Sequence, residues 1–390
     1  MKKKREINFG LIIMMYVALK PIYLYASGLL QIADIFLIFA AGFYLVSRRG
    51  KIYINSYYRA IVLSFLFVCL YQIYINMIWS ICISQWSMNK NSLYYVYNLI
   101  VFSLFLILAD EYGSEKIIKM AGKGLFIASI IIAFALLIID NSGIRNTGLF
   151  NNPNQLGLFA LLSLSYPVLF PEAVNRVELI VIEIVSIFAI IKSGSKASFI
   201  GAVFLVLFYI VFIQTHKGIV GLLRSVILAG LLFAGLYILF ISDNQHIIHN
   251  SSIIFFRNRI INLNNEADSN LATGRGYDRI FEMGIHFLWG MGEGASSRYT
   301  SLSGKETHSL YANLLVSYGL IGALGYVRAF SKCIISKNRT AINICGLAGF
   351  MLYGLTHNSI RNTIFWILLA AVVSRNCTNS DVSVSPQFYE

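Results

Sequence analysis

Apolar stretches of roughly 17 to 23 residues, each long enough to cross a hydrocarbon core as a helix, recur from one end of this chain to the other. They fall at 7–26, 29–47, 61–82, 93–110, 122–140, 156–171, 177–192, 198–214, 222–241, 309–330, 341–356 and 361–375. A soluble chain of 390 residues could not bury a 57% hydrophobic composition with 13% charge and a mean hydropathy of +0.69, because an interior of that size still needs a polar skin. The expected fold is therefore all-α: a polytopic integral membrane protein of about 12 transmembrane helices, with residues 1–375 forming one membrane domain. The first segment is too long and too tyrosine-rich for a cleaved signal peptide, and no small-residue cleavage site follows it, so it reads as a span. Residues 376–390 are polar, carry Pro386 and read as a disordered cytoplasmic tail.

Orientation follows from Lys and Arg in the short loops. With Lys2 to Arg5 in the cytoplasm, twelve spans put 19 basic residues on that side, among them Arg48, Lys116, Lys119, Arg176, Lys332 and Arg339. The opposite short loops hold 5: Lys90, Arg145, Lys192, Lys196 and Arg361. Both termini are then cytoplasmic. The net charge of +13 is on this reading a topogenic signal and an attraction to anionic lipid headgroups, and no basic soluble domain exists to hold nucleic acid. Cys69, Cys82, Cys333, Cys345 and Cys377 form no C-x-x-C pair, so neither disulfides nor a structural metal are expected. Lys20 and Asp34 fall at similar depth on consecutive antiparallel spans. Charges inside a membrane are costly unless paired, which predicts a structural ion pair, with proton coupling as its functional alternative.

One polar island, residues 242–308, interrupts the apolar pattern and is expected outside, as a single loop inserted before the late helices. No Walker loop, dinucleotide fingerprint or H-E-x-x-H occurs, so energy must come from an ion gradient or a pre-activated substrate. Four clusters share the outer face: Arg145 to Asn154; Lys192 to Ser198; the island, where Gly276 to Leu288 has the stripe of an amphipathic helix with Arg275 and Arg279 a turn apart at its start; and His308 with Tyr311 on one helical face. Arginine forks bind phosphate oxygens bidentately, and an imidazole at the membrane surface can take a proton from a sugar hydroxyl. The set suits an anionic, pyrophosphate-bearing substrate delivered from the membrane plane.

In order, the clusters read R-N-T-G-L-F-N-N-P-N-Q-L-G, S-G-S-K-A-S-F-I-G, T-G-R-G-Y-D-R-I-F-E-M-G-I-H-F-L-W-G-M-G-E-G and H-S-L-Y-A-N-L-L-V-S-Y-G-L-I-G. This series, with the ending H-N-S-I-R-N-T-I-F-W-I-L-L, resembles the O-antigen ligase and polymerase family (Wzy/WaaL type) of integral membrane glycosyltransferases, over roughly residues 140 to 370. The resemblance implies a bundle of this kind in a bacterial cytoplasmic membrane. It further implies transfer of an undecaprenyl-pyrophosphate-linked glycan with no cofactor and no metal. On it, His308 and Arg275 are the catalytic residues. Arg145, Lys196, Arg279, Tyr311, Gly292 and Gly294 are candidates for binding pyrophosphate and glycan. Lys196 stands where the family commonly has arginine; a lysine keeps the charge but loses the fork.

The expected activity is polymerisation of lipid-linked repeat units, as for O-antigen or capsule. The partners are the lipid-linked donor and acceptor, membrane lipids and a chain-length regulator protein. One alternative is a ligase moving finished glycan to lipid A core. A lipid-linked oligosaccharide flippase is the alternative of another class, and it would need charged residues along the bundle interior. Here only Lys20, Asp34, Glu178 and Glu183 lie within or near spans.

Overall fold

The computed structural model describes residues 9–26, 29–139, 145–214, 226, 251–261, 271–294 and 306–381. The expected span 222–241, His246, His249 and residues 2–5 lie outside the described residues, apart from Val226, as does part of the polar island. The described chain is helical: α1 Gly10–Leu19, α2 Ile32–Ser47, α3 Ser56–Cys82, α4 Lys90–Tyr112, α5 Ser114–Ile138, α6 Pro153–Leu169, α7 Arg176–Ser193, α8 Lys196–Phe208, α9 Ser251–Ile261, α10 Leu271–Arg275, α11 Arg279–Glu282, α12 Leu310–Ile334, α13 Thr340–Gly354 and α14 Thr363–Asp381. Among the described residues, four helical stretches are long and apolar enough to cross a membrane: Ser56–Cys82, Trp86–Tyr112, Ser114–Ile138 and Leu310–Ile334. Others, such as α1, α2 and α13, are apolar but shorter. The protein is thus a helical membrane protein.

Local chemistry sets the helix ends. Asn55, Asn152, Asn175, Ser195 and Ser309 each accept a backbone N–H of the first turn of α3, α6, α7, α8 and α12, and Pro153 takes the first position of α6, where no N–H is needed. Gly194 ends α7 in the left-handed conformation at φ 59°.

The core is organised around α14. Its run from Ile364 to Val373 is buried on every side, as befits a helix that is apolar all round. α3, α4, α5, α6 and α12 pack around it, with Phe365 stacked on Phe350 of α13 at 3.8 Å between centroids. This helix also corrects the expected tail. It runs on to Asp381, and buried Asn376 donates to the Cys333 carbonyl at 2.7 Å, because that side chain satisfies a carbonyl near the end of α12.

Lys20 Nζ lies 2.7 Å from Asp34 Oδ1 with both side chains buried. Tyr97 and Tyr16 hydroxyls donate to the same oxygen at 2.8 and 3.2 Å, and the Gln31 N–H donates to Asp34 Oδ2 at 3.0 Å. Four donors compensate one carboxylate, which is the geometry a structural ion pair requires.

The most consequential departure from regular structure is in α12. At Gly319 the backbone turns to φ 63°, ψ −171°, and the helix breaks. The segment Leu288–Gly292 lies in the gap. Met291 and Gly292 N–H groups donate to the Val316 and Ser317 carbonyls at 2.9 Å each, and Ile321 N–H donates to the Leu288 carbonyl at 3.1 Å. A broken helix inside a bundle survives only if its freed backbone groups find partners, and this segment supplies them. Four residues expected in an external loop, 290–293, are therefore packed among α3, α4 and α12.

Candidate functional site

The polar connections meet at one end of the bundle. Arg145 donates through Nε to the Ser193 carbonyl at 2.8 Å and through a terminal nitrogen to Asn154 Oδ1, bridging the ends of α7 and α6. The Tyr353 hydroxyl donates to the Asn154 carbonyl at 3.1 Å, bringing in α13. Ser309 N–H donates to the Arg275 carbonyl at 3.3 Å, and Ser309 Oγ donates to the Tyr277 hydroxyl at 2.8 Å, while Tyr277 donates to the Leu355 carbonyl at 2.9 Å. Arg275 and His308, 33 positions apart in sequence, thus lie on adjoining backbone beside the end of α13.

His357 reports on this neighbourhood. Its ring stacks on Tyr353 at 4.6 Å between centroids, and Nδ1 is 2.8 Å from the Thr356 hydroxyl. Burial, together with the positive charge of Arg275, His308 and Arg145, pushes its pKa down to about 3. It is a neutral imidazole in an electropositive setting. The N-termini of α6, α8 and α12, with caps at Asn152, Ser195 and Ser309, add their positive dipole ends here. Lys196 is the first residue of α8, two positions from Gly194, and a Cβ on Gly194 would sit 3.2 Å from Arg145 Cγ. Of the residues expected at the site, Arg145, Arg275 and His308 therefore converge, Lys196 adjoins them, and His308 is exposed.

The remaining candidates are placed differently. Arg279, expected to bind substrate, is 1% exposed and donates to Thr307 Oγ1 at 3.1 Å; it holds the approach to His308 from beneath. It lies inside because the expected amphipathic helix is not continuous: Gly276 (φ 81°) separates Arg275 from Arg279, and Gly284 (φ 52°) separates α11 from a further turn, so the two arginines do not share a face. Tyr311 donates to the Met351 carbonyl at 2.8 Å, tying α12 to α13. Gly292 and Gly294 serve close packing: a Cβ on either would lie 2.8 Å from Met88 Cε or 2.5 Å from Asn91 Nδ2.

Between those glycines is a residue that sequence reading passed over. Glu293 is 2% exposed, and its Oε1 accepts from Arg361 at 2.5 Å, Asn313 at 2.8 Å and Tyr95 at 3.2 Å. Oε2 accepts from Tyr318 at 2.7 Å, and its N–H donates to Asn76 Oδ1 at 2.8 Å. Burial pushes this carboxyl up, but Arg361 and the hydrogen bonds overcome it and hold the pKa below the ordinary glutamate value. Arg361 also reaches Glu306 at 3.5 Å, two residues before His308.

Residues 181–327 match the family model described as O-antigen ligase, Wzy_C, which supports a likeness of this part of the chain to membrane glycosyltransferase-like proteins of the O-antigen ligase and polymerase type. Lys196, Arg275, Glu293 and His308 fall inside the matched stretch; Arg145, His357 and Arg361 fall outside it. No curated protein matches the sequence.

Proposed function

We propose that this protein is a polysaccharide polymerase, extending a lipid-linked glycan at the outer face of a bacterial cytoplasmic membrane. The observation that carries the reading is the convergence of Arg145, Arg275 and His308 around the neutral His357, from four separate parts of the chain. An electropositive, partly buried end of a membrane bundle suits a pyrophosphate whose lipid tail stays in the bilayer. In this reading the donor is a glycan on undecaprenyl pyrophosphate and the acceptor a lipid-linked repeat unit. The acceptor hydroxyl oxygen bonds the anomeric carbon as the bond from that carbon to the pyrophosphate breaks. His308 takes the hydroxyl proton, and Arg275 with Arg145, aided by Lys196, stabilises the departing pyrophosphate. A chain-length regulator is the expected protein partner. The topology that serves this has twelve spans and both termini inside, a reading that the excess of Lys and Arg in one set of short loops supports.

His308→Ala should leave the protein inserted and abundant while extension stops, leaving single repeat units on their carrier. Normal polymer lengths from a fully expressed variant would remove His308 from the reaction. The matched family is compatible equally with the ligase reading, which differs in its product. Purified protein in liposomes that lengthens carrier-linked glycan with no lipid A core present is a polymerase; strict dependence on the core would make it a ligase.

A further inference from the structure

The segment from Arg279 to Trp289 is apolar on two opposite sides. On one side Ile280, Met283 and Phe287 pack against Val316 of α12. On the other, Phe281 is 89% exposed and Ile285 68%, with Leu288 and Trp289 following on the same stripe. Phe281 belongs to one short helical turn and, beyond the bend at Gly284, Ile285 and Leu288 lie three positions apart on the next, so all three stand on the exposed side by their accessibility. Contiguous large apolar side chains this exposed mark a contact with protein or lipid, with Glu282 and His286 supplying the polar edge of the segment.

Its surroundings decide which. The Leu288 carbonyl accepts from Ile321, and below Ile321 α12 exposes Leu324 and Val327 before the basic Arg328 and Lys332 near its far end. The Trp289 carbonyl accepts from the Tyr71 hydroxyl at 2.9 Å, and α3 beside it exposes Leu70, Tyr74 and Met77. α3 and α12 are both long enough to span. The stripe therefore continues, on both flanks, the apolar outer surfaces of two helices long enough to span a membrane.

We propose that residues 281–289 dock into the lipid leaflet on the site's side, with Phe281, Ile285 and Leu288 in contact with acyl chains. Segments of this kind sit about 5–10 Å into the boundary of headgroups and chains. The site would then open beside lipid, with the approach to His308 on the far side of the same segment. This inference concerns where the segment lies and holds whichever product the site makes.

Site-directed spin labelling in phospholipid vesicles tests it. Among the described residues Cys82 is the exposed cysteine, and Cys69, Cys333, Cys345 and Cys377 are buried, so Cys82→Ser gives the background. Nitroxides at Phe281→Cys and Ile285→Cys are compared with Leu324→Cys as the lipid reference and Asn338→Cys as the aqueous one. Both test labels should resemble Leu324, collision with oxygen exceeding collision with a water-soluble nickel chelate several-fold relative to Asn338. Preference for the chelate at both positions would place the stripe in water and overturn the proposal. Low access to both reagents, or spin–spin broadening between copies, would show a protein covering and overturn it equally. Glycan-transfer activity of the labelled protein is scored separately, so loss of the transfer reading leaves this result standing.

Discussion

Two arginines grip the candidate site, but their settings differ. Arg145 is fixed by a carbonyl and an amide oxygen, whereas Arg275 ends a short helix and precedes a left-handed glycine. If Arg275 grips two phosphate oxygens at once, Arg275→Lys should be nearly as damaging as Arg275→Ala, each lowering the transfer rate by about 100-fold. Retained rate in the Lys variant alone would reduce the role to a point charge. His357 makes a different prediction. Its folded pKa of about 3 lies below the ordinary 6.5, so the unfolded chain binds the extra proton between those values. Stability should therefore fall as pH drops from about 6.5 toward 3, and His357→Asn should flatten that part of the profile in thermal unfolding of the detergent-solubilised protein. An unchanged slope would show that other groups carry it.

At the scale of elements, the joint between α12 and the segment beside it is the most exacting contact. A Cβ on Gly290 would fall 2.5 Å from Tyr318 Cα, and Gly290 itself has φ 93°. Gly290→Ala is expected to cost roughly 2–5 kcal/mol, from the strained backbone and the forced separation together. Glu293→Gln should cost a similar amount, about 3–5 kcal/mol, because it leaves the Arg361 charge without its buried partner. Since the folded carboxyl titrates below the unfolded value of 4.5, its contribution is present above pH 4.5 and lost as pH falls through the folded value. The variant should lack that acid-side loss.

These features also mark the limit of what the chain reveals as text. The Lys20–Asp34 pair was legible because two charges at one depth have few ways to avoid cost, and Arg145, Arg275 and His308 were legible because the order and spelling of their motifs resemble a known family, to which their shared outer face adds modest weight. Glu293 was not. Its partners Asn76, Tyr95, Asn313, Tyr318 and Arg361 are scattered over the chain, and a lone carboxylate in a glycine run looks like a turn. Nor does Gly319 in an apolar stretch announce a break, because helices tolerate single glycines and only the arriving segment makes this one necessary.

For the molecule as a whole, the testable claim is orientation. The ends that carry Arg145, His308 and Arg361 lie together, and the opposite end gathers Lys116, Lys119, Arg339 and Arg375. In the Cys82→Ser background, Thr273→Cys, exposed and outside the lipid-facing segment, should react with a membrane-impermeant thiol reagent in intact cells. Ser47→Cys and Asn338→Cys should react only after permeabilisation. The reverse pattern would put the candidate site in the cytoplasm, away from any flipped glycan.

The break in α12 bears finally on how such a chain is made. The carbonyls of Val316 and Ser317 take N–H groups from residues about 25 positions earlier, which emerge from the ribosome first and, in the proposed orientation, would cross before α12 enters the bilayer. Until Leu288–Gly292 returns to the gap, α12 holds unpaired backbone at a depth where water is scarce. Insertion and final structure are then distinct events. A newly inserted chain with all its helices in place would still be immature, and the last contact to form would be the one that also carries Glu293 to Arg361.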